Sequence, residues 1–237
     1  MLTYALIREK EFNKVKAKTN IDGVYNRCFK RLIDVTLSFL GLLLLSWLYL
    51  ILIIAVFVND PGPVFFKQKR VGCKKEGELH YFNIYKFRTM RMDTPHDTPT
   101  HMLVNPEQYI TKVGKLLRKT SLDELPQIYN ILIGNMSIIG PRPALWNQYD
   151  LIEEREKFFA NDVKPGLTGL AQINGRDELE IDLKARLDGE YVEKMSFLFD
   201  CKCFLRTILS ILRSEGVVEG GTGKIGKQQK EERISKK

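Results

Sequence analysis

A run of 24 residues without a charged side chain, residues 35–58, constrains this chain more than any other feature of its sequence. In helical form the run would reach about 36 Å, which exceeds the roughly 30 Å hydrocarbon core of a bilayer. It starts too far from the N-terminus, and is too long, for the apolar core of a secretory signal peptide. The run therefore predicts a helix inserted in a membrane.

Basic residues flank the run on both sides. They are Arg27, Lys30 and Arg31 before it, and Lys67, Lys69, Arg70, Lys74 and Lys75 after it. Positive charge marks the cytoplasmic side of a membrane segment, so a crossing helix would leave one basic flank outside. A helix that enters one leaflet, breaks and returns would keep both flanks in the cytosol. The residues alone leave both topologies open.

A re-entrant helix needs a break, and the run contains no proline to cause one. Ser46, which precedes Trp47, could bond back to an upstream carbonyl and bend the helix, while Gly41 would loosen the preceding turn. Asp34 lies at the edge of the run and would be costly in lipid without a partner. We expect it to form an i, i+3 ion pair with Arg31.

The charge balance narrows the classes of partner. Across 237 residues, 37 Lys and Arg outnumber 29 Asp and Glu, which makes the net charge +8. Such a balance favours nucleic acid, phospholipid head groups or a phosphorylated substrate. A nucleic-acid-binding protein has no use for a bilayer-length segment, so we expect membrane phosphate and no nucleic acid. The four cysteines and three histidines match no zinc or disulfide pattern, which suits a reducing cytosol.

The remaining sequence predicts a mostly helical domain with a small β element. The turn cluster at residues 59–63 must end the apolar helix. Residues 64–71 and 79–87 are rich in β-branched and aromatic side chains and predict an antiparallel strand pair. Residues 91–106 predict a loop. Helical patterns follow at residues 107–118, 121–134, 146–160 and 180–214.

Asp123 and Glu124 stand in the densest polar cluster, residues 120–127. Ser121 and Glu124 match a capping box, so a plain helix start is the alternative, displaced by a residue or two if Pro126 opens the helix. Adjacent helical residues point about 100° apart, which suits two tasks better than one shared proton. One carboxylate could attack an electrophile while the other holds a divalent cation.

Phosphate ligands are available elsewhere in the chain. Lys86 and Arg88 leave the second predicted strand on one face, although a solvated strand face is equally consistent with them. Arg142 lies in a stiff Gly-Pro-Arg-Pro turn, which suits a bidentate grip on phosphate. Residues 165–176 pack glycines and polar side chains densely, as either a ligand-binding loop or an ordinary tight loop would.

Six stretches, taken in order, carry a resemblance to a known family. They are residues 30–34, 61–68, 85–90, 121–127, 134–143 and 164–176. Together they resemble the bacterial sugar transferases that load a phosphosugar onto a polyprenyl phosphate, the monotopic phosphoglycosyltransferases. The resemblance extends from about residue 29 to residue 218. It departs from many relatives at Ser46-Trp47, where Ser-Pro is common, and at Asn135, where an acidic residue is common.

The resemblance implies a magnesium-dependent transfer in two steps. Asp123 would attack the β-phosphate of a UDP-sugar and expel UMP, and a polyprenyl phosphate would then take the phosphosugar from the enzyme. Glu124 would bind Mg²⁺ and Arg142 the phosphate, with Lys86 and Arg88 as further phosphate ligands. The nucleotide would be bound by the loop that contains Gln172, Asn174, Gly175 and Arg176.

The predicted fold class is therefore α-rich α+β, with a re-entrant helix-break-helix and a compact, mostly helical cytosolic catalytic domain. The expected divisions are a basic amphipathic arm at 1–22, the membrane segment at 23–59, the catalytic domain at 60–215 and a basic flexible tail at 216–237. Such a protein would act on the cytoplasmic face of the inner membrane, in contact with its lipids, and its exposed β element could pair two copies. The alternative is a membrane-anchored scaffold that binds lipid without catalysis.

Overall fold

A computed structural model of the chain describes residues 15–94, 106–175 and 179–212. The predictions for most of the N-terminal arm, the centre of the 91–106 loop, Arg176 and the C-terminal tail lie outside these residues. The helices are α1 (Lys30–Leu44), α2 (Ser46–Asn59), α3 (Lys112–Thr120), α4 (Gln127–Leu132), α5 (Tyr149–Glu156), α6 (Leu170–Ile173), α7 (Ile181–Lys194) and α8 (Phe197–Leu212). The strands are β1 (Phe65–Val71), β2 (Tyr81–Phe87), β3 (Ser137–Ile139) and β4 (Gly166–Thr168). The predicted class is confirmed in its secondary structure, because the described residues are mostly helical with a small antiparallel sheet.

The apolar run forms two helices, α1 and α2, which meet at a bend of 63°. Within the described residues, no single helix is both long and apolar enough to cross a bilayer, whereas the bent pair together passes that test by length and composition. The bend falls at Leu45, whose ψ of 4° departs from helical geometry. Ser46 donates its hydroxyl to the carbonyl oxygen of Leu43 at 2.8 Å, as the sequence predicted for a bend without proline.

The predicted ion pair between Arg31 and Asp34 is wrong. Arg31 instead donates to the carbonyl oxygens of Ile131 and Leu132, at 2.7 and 2.8 Å, and so caps the C-terminal end of α4. Asp34 accepts from the hydroxyl of Ser137 at 3.1 Å and from the backbone N–H of Ile138 at 2.9 Å. Arg31 and Asp34 therefore each bond to residues about 100 positions later in the chain, and they do not bond to each other.

The strands β1 and β2 form the predicted antiparallel hairpin, with Phe65 opposite Phe87 and Val71 opposite Tyr81. One face of β2 is buried: Phe82 and Ile84 belong to a core cluster with Ile131 of α4 and Met136. This packing places α4, and the turn just before it, against the hairpin.

A second, parallel strand pair, β3 and β4, was not predicted. Ser137 pairs with Gly166 and Ile139 with Thr168. Strands of three residues are too short for an alternating pattern to appear in the sequence. The backbones approach so closely that a Cβ on Gly166 would lie 2.1 Å from the amide nitrogen of Gly140, so glycine is required there.

Several predicted helices were too long. The 121–134 segment opens with a 3₁₀ turn, Leu122–Glu124, and α4 begins only after Pro126. The capping box is wrong: Ser121 has φ of 58°, makes no side-chain cap and closes α3 from its C-terminal side. The 107–118 pattern is a 3₁₀ turn, Pro106–Tyr109, followed by α3. The 146–160 pattern shortens to α5, and the 180–214 pattern breaks into α7 and α8.

Candidate active site

Glu124 is held by two cations from distant parts of the chain. Lys86 Nζ of β2 lies 2.7 Å from Glu124 Oε1, and Arg142 Nη2 lies 3.1 Å from the same oxygen. Burial by itself raises the pKa of Glu124, but Lys86 and then Arg142 outweigh it and hold that pKa well below its usual range. Glu124 is therefore an anion at any physiological pH.

Asp123 has the opposite electrostatic character. Burial, which is opposed by the attraction of Lys86 and supported by the negative charge of Glu124, raises the pKa of its carboxyl to about 6. Its carboxyl is desolvated, because only 9% of the residue is exposed. A neighbouring pair in which one carboxylate has a lowered pKa and the other a pKa raised toward neutral pH is typical of a site where each has its own chemical task.

The hairpin and α4 hold these groups in register through Asn130, which sequence analysis missed. Asn130 is fully buried, accepts from the N–H of Tyr85 at 3.0 Å and donates to the carbonyl oxygen of Asn83 at 2.8 Å. The side-chain amide of Asn130 therefore makes the two backbone hydrogen bonds that a neighbouring strand would otherwise make with β2. This contact fixes α4 beside the strand that carries Lys86, so Glu124 and Lys86 meet although 38 residues separate them.

Arg118 is a second residue that sequence analysis missed. It lies in the last turn of α3, donates from Nε to the hydroxyl of Thr89 at 2.8 Å, and lowers the pKa of Asp123. Its sequence context, Leu-Arg-Lys-Thr, is that of an ordinary basic helix end, so no signal distinguished it. Among the described residues, the cations that lower the pKa of Asp123 are thus Lys86, Arg118 and Arg142.

Arg88 does not join this cluster, although Lys86 does. The guanidinium of Arg88 donates to the carbonyl oxygen of Asp60 and lies 3.4 Å from its carboxylate. A Cβ on Gly62 would lie 2.7 Å from Arg88 Nη1. Arg88 therefore fastens the turn that follows α2. Its Nε and Nη1 are buried and donate to no acceptor within the described part of the chain.

The predicted nucleotide loop is described as far as Gly175. Gln172 donates to the carbonyl oxygen of Leu167 at 2.9 Å, and Asn174 donates to that of Leu170 at 2.7 Å. Both amides therefore brace the loop itself, while the Oε1 atom of Gln172 is buried and makes no hydrogen bond to another described residue. Gly175 has φ of 146°, which favours glycine.

The site has only two adjacent carboxylates that could bind a metal cation among the described residues. Within residues 15–94, 106–175 and 179–212, no group of three or more His, Cys, Asp and Glu side chains could hold a metal ion. Magnesium in phosphoryl-transfer sites commonly takes only one or two protein carboxylates and completes its shell with water and substrate phosphate. Asp123 and Glu124 match that donor set.

Comparison with known proteins identifies the family of the chain. A model of the family described as bacterial sugar transferase matches residues 25–214. The chain is 41% identical over 188 residues to the uncharacterized sugar transferase EpsL of Bacillus subtilis, covering 79% of this chain and 89% of that protein. It is 34% identical over 201 residues to the exopolysaccharide production protein ExoY of Rhizobium meliloti, covering 79% and 87%.

A longer relative is the UDP-glucose:undecaprenyl-phosphate glucose-1-phosphate transferase of Escherichia coli. It is 41% identical over 198 residues, which cover 80% of this chain but only 41% of that protein. The chain therefore belongs to the bacterial sugar transferase family. The prediction of an enzyme of the phosphoglycosyltransferase class is confirmed by this membership and by the relatives' names.

Proposed function

We propose that this enzyme moves a sugar-1-phosphate from a UDP-sugar to a polyprenyl phosphate through a covalent intermediate on Asp123. The observation that carries the proposal is the divided carboxylate pair: Asp123 is desolvated and has a pKa raised to about 6, while Glu124 is ionised between Lys86 and Arg142. Relatives named as undecaprenyl-phosphate glucose-1-phosphate and galactose phosphotransferases support the same reaction. A scaffold without catalysis would need no such pair.

In the first step, a carboxylate oxygen of Asp123 attacks the β-phosphorus of the UDP-sugar. The bond from that phosphorus to the bridging oxygen breaks, and UMP leaves with the bridging oxygen and its electron pair. An aspartyl-phosphosugar remains. In the second step, a phosphate oxygen of the polyprenyl phosphate attacks the same phosphorus, the bond to Asp123 breaks, and the carboxylate is restored.

Cations of the site neutralise the diphosphate so that an anion can approach it. Lys86 and Arg142 already converge on one oxygen of Glu124, and a diphosphate entering beside them would share their charge. Arg88 and the Gln172 to Gly175 loop remain our candidates for further phosphate and nucleotide contacts. Glu124 would also hold Mg²⁺, with Asp123 adjacent. When bound, the ion supplies positive charge to the phosphate oxygens.

The location that we propose is the cytoplasmic face of the inner membrane, with α1 and α2 forming a re-entrant anchor. The apolar side chains exposed along these helices support it; among them are Leu43, Leu44, Trp47, Leu50, Ile54 and Phe57. A helix pair bent at its apex enters and leaves one leaflet more readily than it crosses two. Homodimer formation through the exposed hairpin stays a prediction.

The test is release of UMP by the full-length chain in lipid nanodiscs with Mg²⁺, undecaprenyl phosphate and a panel of UDP-sugars. Asp123→Asn should abolish both UMP release and the phosphosugar adduct seen by intact-protein mass spectrometry. Asp182→Asn, which alters an exposed carboxylate in the first turn of α7, is the matched control and should keep full activity. Release of UDP in place of UMP would contradict the proposed chemistry.

A further inference from the structure

The segment that follows the carboxylate pair is held by both arms of the bent helix pair. From α2, the hydroxyl of Tyr49 donates to the carbonyl oxygen of Leu125 at 2.6 Å. From α1, Arg31 donates to the last carbonyls of α4. Between these two contacts, a Cβ on Gly41 would lie 3.8 Å from the side chain of Ile128, so α1 and α4 pack closely. The bent helix pair thus forms hydrogen bonds with the turn just before α4 and with the C-terminal end of α4.

The contact of Tyr49 is the one nearest to the chemistry. Leu125 follows Glu124 directly, and its carbonyl oxygen also accepts the N–H of Ile128 in the turn that starts α4. The ring of Tyr49 packs on Phe87 with centroids 5.7 Å apart, and Phe87 follows Lys86 in β2. A phenolic hydroxyl in such apolar surroundings is costly if it lacks an acceptor, so this hydrogen bond favours one position of the turn.

We propose that Tyr49 is a positioning residue for the second step of the transfer, in which the lipid phosphate attacks. This inference rests on the proposed function. The groups that meet the donor, Lys86 and Arg142, contact Glu124 from within the soluble domain. Tyr49 joins the same turn to the helix beside which a lipid-borne phosphate must lie. Its hydroxyl therefore sets where the turn after Asp123 and Glu124 lies relative to the acceptor, whereas the ion pairs of Lys86 and Arg142 with Glu124 do not involve that hydroxyl.

Tyr49→Phe isolates the hydroxyl, because the ring and its packing on Phe87 remain. In nanodiscs we expect the burst of UMP measured without acceptor to stay within roughly twofold of the wild-type rate. Transfer of phosphosugar to undecaprenyl phosphate should fall roughly tenfold, since one lost hydrogen bond loosens the attack geometry. Tyr149→Phe, which alters an exposed tyrosine at the start of α5, is the control and should change neither rate.

Hydrogen exchange tests, without any catalytic turnover, whether the hydroxyl of Tyr49 stabilises the turn at Leu125. Amides of residues 125–134 should exchange faster in Tyr49→Phe than in the wild type, with the melting temperature nearly unchanged. Unchanged exchange would overturn the inference. So would a parallel loss of both steps, since that is the signature of general destabilisation, or wild-type rates in both. If the wild-type chain releases no UMP, the proposed function fails, whereas the exchange result still decides whether the hydroxyl of Tyr49 holds the turn at Leu125.

Discussion

Asp123 and Glu124 are neighbours in sequence, yet their surroundings shift their pKa values in opposite directions. The motif suggested a division of labour, because adjacent side chains diverge. Which carboxylate does which task depends on Lys86 and Arg142, and these cations come from a strand and a turn far away in sequence. Burial decides the rest: it leaves Asp123 as the group that can gain and lose a proton near neutral pH.

The raised pKa of Asp123 predicts an acid limb in the pH dependence of the first step. In the proposed first step the nucleophile is the carboxylate of Asp123, so the rate of UMP release should halve near pH 6 and fall about tenfold for each further unit of acidification. Lys86→Gln removes the cation that most lowers this pKa and should move the midpoint to higher pH. Rapid-quench measurement of the first turnover across a pH series would locate both midpoints.

The matched control is Lys69→Gln, on the outer face of the same hairpin. The ammonium of Lys69 lies 4.7 Å from the ring centroid of Tyr81 and 5.6 Å from that of Trp146, away from the carboxylate pair. Its removal should leave the midpoint in place. A midpoint that moves equally in both variants would mean that net surface charge, and not the contact with Lys86, sets the pKa of Asp123.

The helix pair α5 and α7 is joined by a buried ion pair. Arg155 donates from Nε and Nη2 to one carboxylate oxygen of Asp188, at 2.8 and 2.6 Å, and neither side chain is more than 4% exposed. These helices also bury the core cluster of Val71, Ala144, Leu151, Ile152 and Ala185. The pair therefore fixes how two core elements meet, although its net contribution to stability is small when both partners are present.

Arg155→Met should destabilise the protein by about 3 to 5 kcal/mol, because it leaves the carboxylate of Asp188 buried without a partner. Chemical denaturation followed by tryptophan fluorescence or circular dichroism would measure the free energy of unfolding. Lys157→Met removes one partner of the surface pair with Glu154 and should cost about 0 to 1 kcal/mol. If the double variant Arg155→Met, Asp188→Leu is no more stable than Arg155→Met, the buried charge is not the cause.

The bend between α1 and α2 has one cause that is local in sequence and others that are not. Ser46 was expected to bond back to an upstream carbonyl, and it bonds to that of Leu43. The direction of the bend depends on contacts outside the pair: Gly41 faces Ile128, and Tyr49 reaches Leu125. The bend needs no proline, because α4 and the turn before it contact both α1 and α2.

At the scale of the whole molecule, the re-entrant topology predicts that both ends of the apolar run face the cytosol. Cys28 is exposed before the run and is a suitable label site. Cys73, after the run, is a poor one: it is half-buried, its Sγ donates to the carbonyl oxygen of Asp162 at 3.3 Å, and burial raises the pKa of its thiol. Lys75→Cys, in an exposed position two residues later, should replace it.

Single-cysteine chains with Cys28 or Lys75→Cys should each resist an impermeant maleimide on intact cells and react after permeabilisation. The reason is that both flanks carry several lysines and arginines, which favour the cytoplasmic side. Labelling of either position on intact cells would mean that the run crosses the bilayer. Gel-shift detection after labelling distinguishes the two topologies.

The sequence was sufficient to predict those features that depend only on residues close together in the chain. The charge-free run, the hairpin rich in β-branched and aromatic residues, the carboxylate pair and the helix start after Pro126 all follow from neighbours within a few positions. The three-residue strands β3 and β4, the break between α7 and α8 and the reversed role of Ser121 were missed. Too few residues carry their patterns, and packing across the domain outweighs local preference.

The sequence by itself determined that this chain has a charge-free segment of bilayer length, an excess of basic residues and an adjacent Asp-Glu pair, and that it resembles the bacterial sugar transferases. Only the tertiary structure decided that Lys86 and Arg142 meet at Glu124, that Arg88 binds the turn at Asp60, and that Asp34 and Arg31 bond to other elements. Burial and long-range charge set these partnerships. Both depend on which distant segments pack together, and that information is absent from any short stretch of sequence.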